Sequence, residues 1–428
     1  MKDIRVFLLS YSNTRALQQA ITSLQLIIQR VEGITVIDVP DFLPEVLDTV
    51  TPQPEVEYVK LNNNNLGKTL NDYIKEESCE YVLFLYDQDY LNKNITEEHL
   101  GLNNEKNVMT YQYTIKDKII QRPFLVRTCF LKQNMFFQNN EVPFKEAIMP
   151  SWLSQVDPSY VVPGSKSLIS QLSKDATTSN YEKIKFIEKY QTNLSNSIIK
   201  PSIAVMISNY NMVDYVGTAI NSCFLQSSPP EQILVVDDGS TDESYKVLEN
   251  WVYDSRFKLL SKKNGGKARA LNELLPYIET EFIVELDADD WLDPDAIFVI
   301  KNYLRNLEED VAVLYGNLRA WKQTNLGKLK YKGVRKGSQV LNKKELLSYT
   351  FPLGPRIYRT FSLKENKGFP VIDFEDGRMY EDVSILNTLL RKNCLLYKDF
   401  TIYNVREHEL SITKKNPSNW SDFLKLLN

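Results

Sequence analysis

Asp287-Ala-Asp289 puts two carboxylates two residues apart, so in extended backbone both side chains point the same way. Acids gathered like this need neutralising. A divalent cation with a phosphorylated ligand does so well, because Mg²⁺ or Mn²⁺ takes one or two carboxylates together with diphosphate oxygens. Alone the motif is weak, since a solvated turn explains it equally. Other clusters share its polarity. Asp237-Asp238 precedes Gly239-Ser240-Thr241, where capping the next helix is the alternative role. Asn264-Gly265-Gly266 runs into Lys267-Ala268-Arg269. A glycine turn opening a helix suits phosphate approach, and a plain turn with an exposed arginine is the alternative. Glu381-Asp382 is followed by Val383, Leu386, Leu389 and Leu390 at helical spacing, so it opens a helix. There the helix dipole alone favours an acid. An earlier pair, Glu375-Asp376, rivals it. The chain has 2 histidines. His408 lies in the run Arg406-Glu407-His408-Glu409, whereas His99 has no such context and reads as a surface residue.

The elements that must position these groups alternate between buried strand and helix. The residues around 203–208 form a short apolar strand, followed by helical spacing at Val213, Val216, Ala219, Ile220 and Cys223. A strand ending in Asp237-Asp238 comes next, then a helix from Glu243, a strand over 257–262, a helix with Leu271, Leu274 and Leu275 on one face, and a strand over 281–287. Continuous apolar strands alternating with helices imply a parallel sheet. Ligands of such sheets sit beyond the carboxyl ends of the strands. Asn209-Tyr210, Asp237-Asp238 and Asp287 to Asp290 therefore converge on one crevice.

The chain also resembles itself. At an offset of 199, Val6, Tyr11, Ala20, Ile21 and Ser23 match Val205, Tyr210, Ala219, Ile220 and Ser222. Ile34, Val36 and Asp38 match Ile233, Val235 and Asp237 at the same offset, as Asn65, Gly67 and Lys68 match Asn264, Gly266 and Lys267. Arg127 to Phe137 then resembles Arg359 to Phe369 at offset 232, so the second copy is 33 residues longer between those points. Matches in this order argue for duplication. The expected organisation is a first domain over 1–160, a linker with a polar helix (Tyr181 to Tyr190) over 161–200, and a second domain over 201–428.

The motifs VVDDGSTD, NGGKARALN, LDADD, MYEDVSIL and REHELSIT, in this order, resemble the family 2 glycosyltransferases of the A-type nucleotide-sugar-binding fold. The resemblance runs from Ser202 to about Thr413; the first copy shares it only in part. It implies two tandem Rossmann-like α/β domains with mostly parallel central sheets flanked by helices. It also implies a metal-dependent, inverting transfer of sugar from a nucleoside diphosphate, uridine- or deoxythymidine-linked, to a hydroxyl acceptor. Carried onto this sequence, Tyr210 beside Asn209 stacks on the base, and Asp238, next to Asp237, accepts its hydrogen bonds. Arg269, with Asn264 and Gly266, faces the nucleotide and diphosphate. Asp287 and Asp289 form the DxD, Asp289 being a ligand of Mn²⁺ or Mg²⁺ with His408. Asp382 is the catalytic base. The first copy keeps Asp87-Gln88-Asp89, but Val39 stands for Asp238, no arginine stands for Arg269, Met149-Pro150 falls on the Glu-Asp pair and Ala176 on His408. It is expected to be non-catalytic.

Composition bounds the rest. At 428 residues with 43% hydrophobic and 25% charged, the chain reads as globular and of more than one domain. A net charge of −4 disfavours nucleic acid as a partner. The 4 scattered cysteines suggest no disulfide framework and a reducing, cytoplasmic setting. No apolar run is long enough for a transmembrane segment, which leaves peripheral contact with the inner face of a membrane open, as it leaves self-association. The acceptor is a glycan, a lipid-linked sugar or a protein, with bacterial surface polysaccharide as one setting. From Lys322 to Lys344 there are eight Lys or Arg and no acid, either a solvated basic loop or a lure for an anionic acceptor. Two rival functions stand beside the transferase. One is a non-catalytic nucleotide-sugar-binding or scaffold protein. The other is a nucleotidyltransferase, which would want a glycine-rich basic loop right after the first strand.

Overall fold

The computed structural model describes residues 2–38, 56–165, 168–172, 177–191, 200–324, 327–349, 352–372, 374, 379–408 and 420–426. The chain divides into two compact units, Met1–Gln191 and Thr192–Asn428.

In the first unit the strands are β1 (Ile4–Leu9), β2 (Val31–Ile37), β3 (Val56–Val59), β4 (Tyr81–Tyr86), β5 (Asp89–Leu91), β6 (Val108–Ile115), β7 (Lys118–Arg127), β8 (Val161–Pro163) and β9 (Ile169–Gln171). The main sheet runs β3-β2-β1-β4-β7-β6-β8. It is parallel from β3 to β4 and antiparallel where β4 meets β7 and β7 meets β6. The helix Leu66–Glu76 enters through Asn65, whose side chain accepts from the Lys68 amide at 3.0 Å.

The second unit contains β10 (Ile203–Asn209), β11 (Gln232–Asp237), β12 (Phe257–Ser261), β13 (Phe282–Asp287), β14 (Trp291–Leu292), β15 (Val311–Gln323), β16 (Leu329–Arg335), β17 (Ile357–Arg359) and β18 (Cys394–Glu407). Its order, β12-β11-β10-β13-β17-β15-β18-β14, repeats that of the first sheet through its sixth position, and β16 pairs with β15. The first four strands are again parallel. Register agrees as well: Val6 opposes Ile34, and Val205 opposes Ile233. The strands read as unbroken apolar runs because both faces are covered. Ile203, Val205 and Ile207 join a core with the helices Val216–Phe224 and Ala296–Leu304. Ala204 and Met206 join another with the helices Lys267–Leu274 and Glu381–Leu389.

Two expectations change. The stretch read as a linker over 161–200 belongs largely to the first unit: β8 pairs with β6, β9 with β5, and the polar helix, here Thr178–Glu188, buries Ile184, Phe186 and Ile187. Serine- and lysine-rich composition concealed short strands and one apolar helix face. The basic stretch is not simply a loop. It contains β16 and the helix Lys343–Leu347, which fall between β15 and β17, where the first unit connects β6 to β7 directly. This accounts for the extra 33 residues.

Candidate active site

The second unit's site grows from a turn that ties β10 to β11. Asn209 is fully buried and donates from Nδ2 to Asp237 Oδ1 at 2.8 Å. Asp237 also accepts from Ser240 Oγ at 2.6 Å and from the Ser240 amide at 2.9 Å. Both residues thus shape the Asp-Asp-Gly-Ser turn, whereas the next helix, Ser244–Leu248, follows Glu243 and is not capped by Asp237. Tyr210, just past the strand end, is 45% exposed.

Asp238 holds the glycine loop. Its carboxylate accepts from the Gly265 amide at 2.9 Å, the Gly266 amide at 2.8 Å and Lys262 Nζ at 3.0 Å. Asn264 returns a bond to the Asp238 carbonyl at 2.9 Å. Gly266 has φ +90°, a left-handed conformation that favours glycine. Gly239 has φ +73°, and a Cβ there would meet the Asn264 amide nitrogen at 2.7 Å, so turn and loop touch backbone to backbone. Arg269 folds back to donate to the Gly265 carbonyl at 2.7 Å. In this state Asp238 and Arg269 are engaged with the loop itself.

Beneath the loop lies a charged network. Lys267, first residue of its helix, donates to Asp287 Oδ1 and reaches Glu285 at 2.9 Å and Glu381 at 3.5 Å. Glu285 is buried and takes a two-pronged bond from Arg356 at 2.9 and 2.8 Å, plus the Tyr358 hydroxyl at 2.9 Å. Burial works to raise the Glu285 carboxyl, but Arg356 and then Lys267 outweigh it and hold it well below its ordinary range. Lys267 is likewise opposed by burial, yet Asp287 and Glu285 keep it firmly protonated. Glu381 goes the other way: burial lifts its carboxyl to about 7, against Lys267 and with Asp382.

The acids past β13 meet the end of β18. His408 is buried, and its Nε2 lies 2.9 Å from Asp289 Oδ2, across 119 residues of chain. Its ring packs on Tyr215 with centroids 4.6 Å apart. Asp290 accepts from the Arg406 amide at 2.8 Å, and burial followed by the charges of Asp289 and Asp287 raises its carboxyl well above normal. Arg406 donates to the Asp289 carbonyl at 2.9 Å and lies over the rings of Tyr215 and Trp291.

Asp382 is half-buried in the first turn of Glu381–Leu389, and its Oδ2 is 3.7 Å from Arg356. The residue before this helix, Tyr380, has φ +60° and is gripped by aromatic neighbours. Phe423 lies 4.4 Å and Trp420 5.3 Å from its ring, both on the helix Trp420–Leu426. The rival pair Glu375-Asp376 lies outside the described residues, as do Val39 and Ala176.

A cleft of about 380 Å³ opens along this line, bordered by Asp287, Asp289, Asp290, Arg335, Arg356 and Glu407 among others. The structure therefore gathers Asp287, Asp289 and His408, links them through Lys267 and Glu285 to the Glu381-Asp382 pair, and sets Asn209 and Asp237 behind as supports. Sequence reasoning missed Lys267, Glu285 and Arg356. A charged residue inside the apolar run Phe282–Asp287 was the available signal, because a buried charge demands partners. Among the described residues no three His, Cys, Asp or Glu side chains converge as a ready metal cluster. Asp289 and His408 nevertheless fit a divalent cation as a two-ligand set completed by diphosphate oxygens, the pattern expected of such ions.

Residues 204–367 match the family model of glycosyl transferase family 2. Hyaluronan synthase of Pasteurella multocida is 31% identical over 130 residues, covering 29% of this chain and 13% of that protein. A putative glycosyltransferase EpsH of Bacillus subtilis is 32% identical over 96 residues, covering 22% of this chain and 28% of its own. These matches thus span under a third of either relative. Among solved structures, S. aureus TarS 1–349 in complex with UDP-GlcNAc is similar at a TM-score of 0.41 and 22% identity, covering 53% of this chain and 65% of that one. The fold of the second unit is a mostly parallel α/β sheet with acidic groups gathered at its strand ends. The similarity to glycosyltransferase family 2 thus lies within the second unit.

Proposed function

We propose that the second unit transfers a sugar from a nucleoside diphosphate, uridine- or deoxythymidine-linked, to a hydroxyl-bearing acceptor, with inversion at the anomeric carbon. The observation that carries this reading is the meeting of Asp289 with His408 at 2.9 Å beside Asp287, one charged network away from Asp382. Tyr210 stacks on the base, and the loop of Asn264, Gly265, Gly266 and Arg269 borders the diphosphate. Asp289 and His408 hold Mn²⁺ or Mg²⁺, which when bound neutralises charge on the leaving diphosphate. Asp382 removes the proton from the acceptor hydroxyl as that oxygen bonds to the anomeric carbon and the diphosphate oxygen departs from the opposite face. One base with no second carboxylate nucleophile identified supports a single displacement. Lys267 and Arg356 keep the donor-side acid and the base apart in charge yet fixed in place.

The first unit is, in this reading, a non-catalytic duplicate with a structural or acceptor-side role. Work at the inner face of a membrane, in surface polysaccharide synthesis, is consistent with the described helices, none of which is long and apolar enough to cross a bilayer. Calorimetry with UDP and with dTDP, in Mn²⁺ and in excess chelator, tests the donor reading. Metal-independent binding, or binding unchanged in Asp289→Ala, would sink the metal assignment.

A further inference from the structure

The hairpin β15–β16 carries its charges on a particular face. Leu318 opposes Arg335, Ala320 opposes Gly333 and Lys322 opposes Lys330, while Lys332 is the extra residue of a bulge between Tyr331 and Gly333. Opposed residues share a face, side chains alternate along a strand, and a bulge shifts the alternation by one. Leu318, Lys322, Lys330 and Arg335 therefore face the same way. On the other flank of β15, Tyr403 and Val405 oppose Leu318 and Ala320, and Glu407 opposes Lys322, so they share that face too. Leu318, Arg335, Tyr403, Val405 and Glu407 line the cleft that holds Asp287 and Asp289. The cleft face thus continues outward onto Lys322 and Lys330.

These lysines are exposed, and so are Lys328 and Lys332. Among the described residues none of the four has a carboxylate within ion-pair distance, since Glu407 is taken by Arg335 and Asp399 by Lys336. Lys322 directly opposite Lys330 is a like-charge pair, which destabilises a sheet. Lysines that only shield an edge strand from aggregation need no such pairing.

We propose that this face is the binding track for the acceptor, and that the acceptor is a phosphate-bearing glycan chain. The inference rests on the transferase reading above. Lysine suits phosphates along a flexible chain, acting as a point charge where arginine would demand planar, two-pronged geometry. A bilayer fits less well, because the track turns inward to a cleft that a flat surface cannot follow.

The test uses the full chain saturated with UDP and Mn²⁺ and titrated with short-chain inorganic polyphosphate at two salt concentrations. Wild type should bind, more weakly as salt rises. Lys322→Glu with Lys330→Glu should weaken binding about tenfold or more and flatten the salt dependence, with UDP affinity unchanged. Lys330→Glu alone turns a like pair into an opposite one, so its Tm should hold or rise while polyphosphate binding falls; misfolding would lower both. Equal binding by wild type and the double variant overturns the track. Charge-dependent binding to phosphatidylglycerol vesicles without polyphosphate binding overturns the glycan assignment in favour of a membrane. Failure of wild type to bind UDP strikes the transferase reading instead, and the polyphosphate comparison still decides the track.

Discussion

Tyr11 and Tyr210 occupy matching positions after the first strand of their units, yet one is 0% and the other 45% exposed. Tyr11 points inward, and its hydroxyl donates to the Asp89 carbonyl at 2.5 Å. The contrast recurs past the fourth strand but not past the second, where Asp38 is half-buried and its counterpart Asp237 is buried. Asp38 is closed off by Lys145 at 2.5 Å and Ser10 at 2.6 Å. Asp89, second acid of the first unit's DxD, is fully buried and accepts from Tyr111, from Gln171 at 2.5 Å and from the Tyr86 amide at 3.1 Å. Burial raises its carboxyl, with Arg122 opposing. Asp289 remains half-buried at the lip of a cleft. One sheet order thus supports either an open crevice or a filled one. The side chains at the strand ends decide which, and the cores do not.

The largest expected effect separates the units at the base. Asp382→Asn should lower transfer about 10²–10⁴-fold, the range for a lost general base, while UDP affinity stays near wild type. Initial rates beside calorimetry make the check. Glu381→Gln as the inactive variant, with Asp382→Asn active, would move the base by one residue.

Next comes the network the first unit does not reproduce in sequence. Glu285→Leu leaves Lys267 and Arg356 without their shared anion in a buried setting, at a cost of about 3–5 kcal/mol, read by chemical denaturation. The neighbouring acid gives this region a pH signature. Glu381 is lifted from 4.5 to about 7, so between those values the folded state holds a proton that the unfolded chain has lost. Stability therefore falls as pH rises through that window. Glu381→Gln should flatten that slope in a melting series. An unchanged slope would show that Lys267 cancels the effect of burial.

Much of this was legible in the sequence, for reasons the two units make plain. Period and apolar runs exposed the strands, because buried parallel strands have no polar face to confuse them. The order of acids at strand ends exposed the crevice, because chain direction fixes which ends converge. Partnership was not legible. Asp237 and Asp238 look alike in sequence, but one braces a turn through Ser240 and the other ties the glycine loop. Arg356 meets Glu285 across 71 residues, and no local spacing announces that pair. The linker expectation failed on the same ground, since β8 and β9 take their meaning from distant partners.

The paired tyrosines give a smaller, two-way test. Tyr210→Ala should weaken UDP binding by about 1–3 kcal/mol, the usual worth of a base stacked on an aromatic ring, with little change in Tm. Tyr11→Ala should do the reverse, destabilising by about 3–5 kcal/mol as a large buried side chain is truncated, with UDP affinity kept in the folded fraction. If both variants lose UDP, the first unit's strand ends take part in donor binding.

The smallest expected effect lies at Asp87, the outer acid of the first unit's DxD. Asp89 is a poor probe of function there, because Asn or Ala at a fully buried acid with three donors would disturb packing, at about 1–3 kcal/mol for groups left unsatisfied. Asp87 is half-buried, and its side chain accepts from Ser12 at 3.3 Å in an exposed contact. Asp87→Asn keeps the shape and removes the charge. A metal held at this unit would depend on that charge, since its other acid is enclosed by tyrosine and glutamine. Rate, Mn²⁺ dependence and UDP affinity should all match wild type in Asp87→Asn. A drop in Mn²⁺ affinity, in protein whose melting curve is unchanged, would mean that the filled strand ends open during turnover, and that the two units differ in state more than in chemistry.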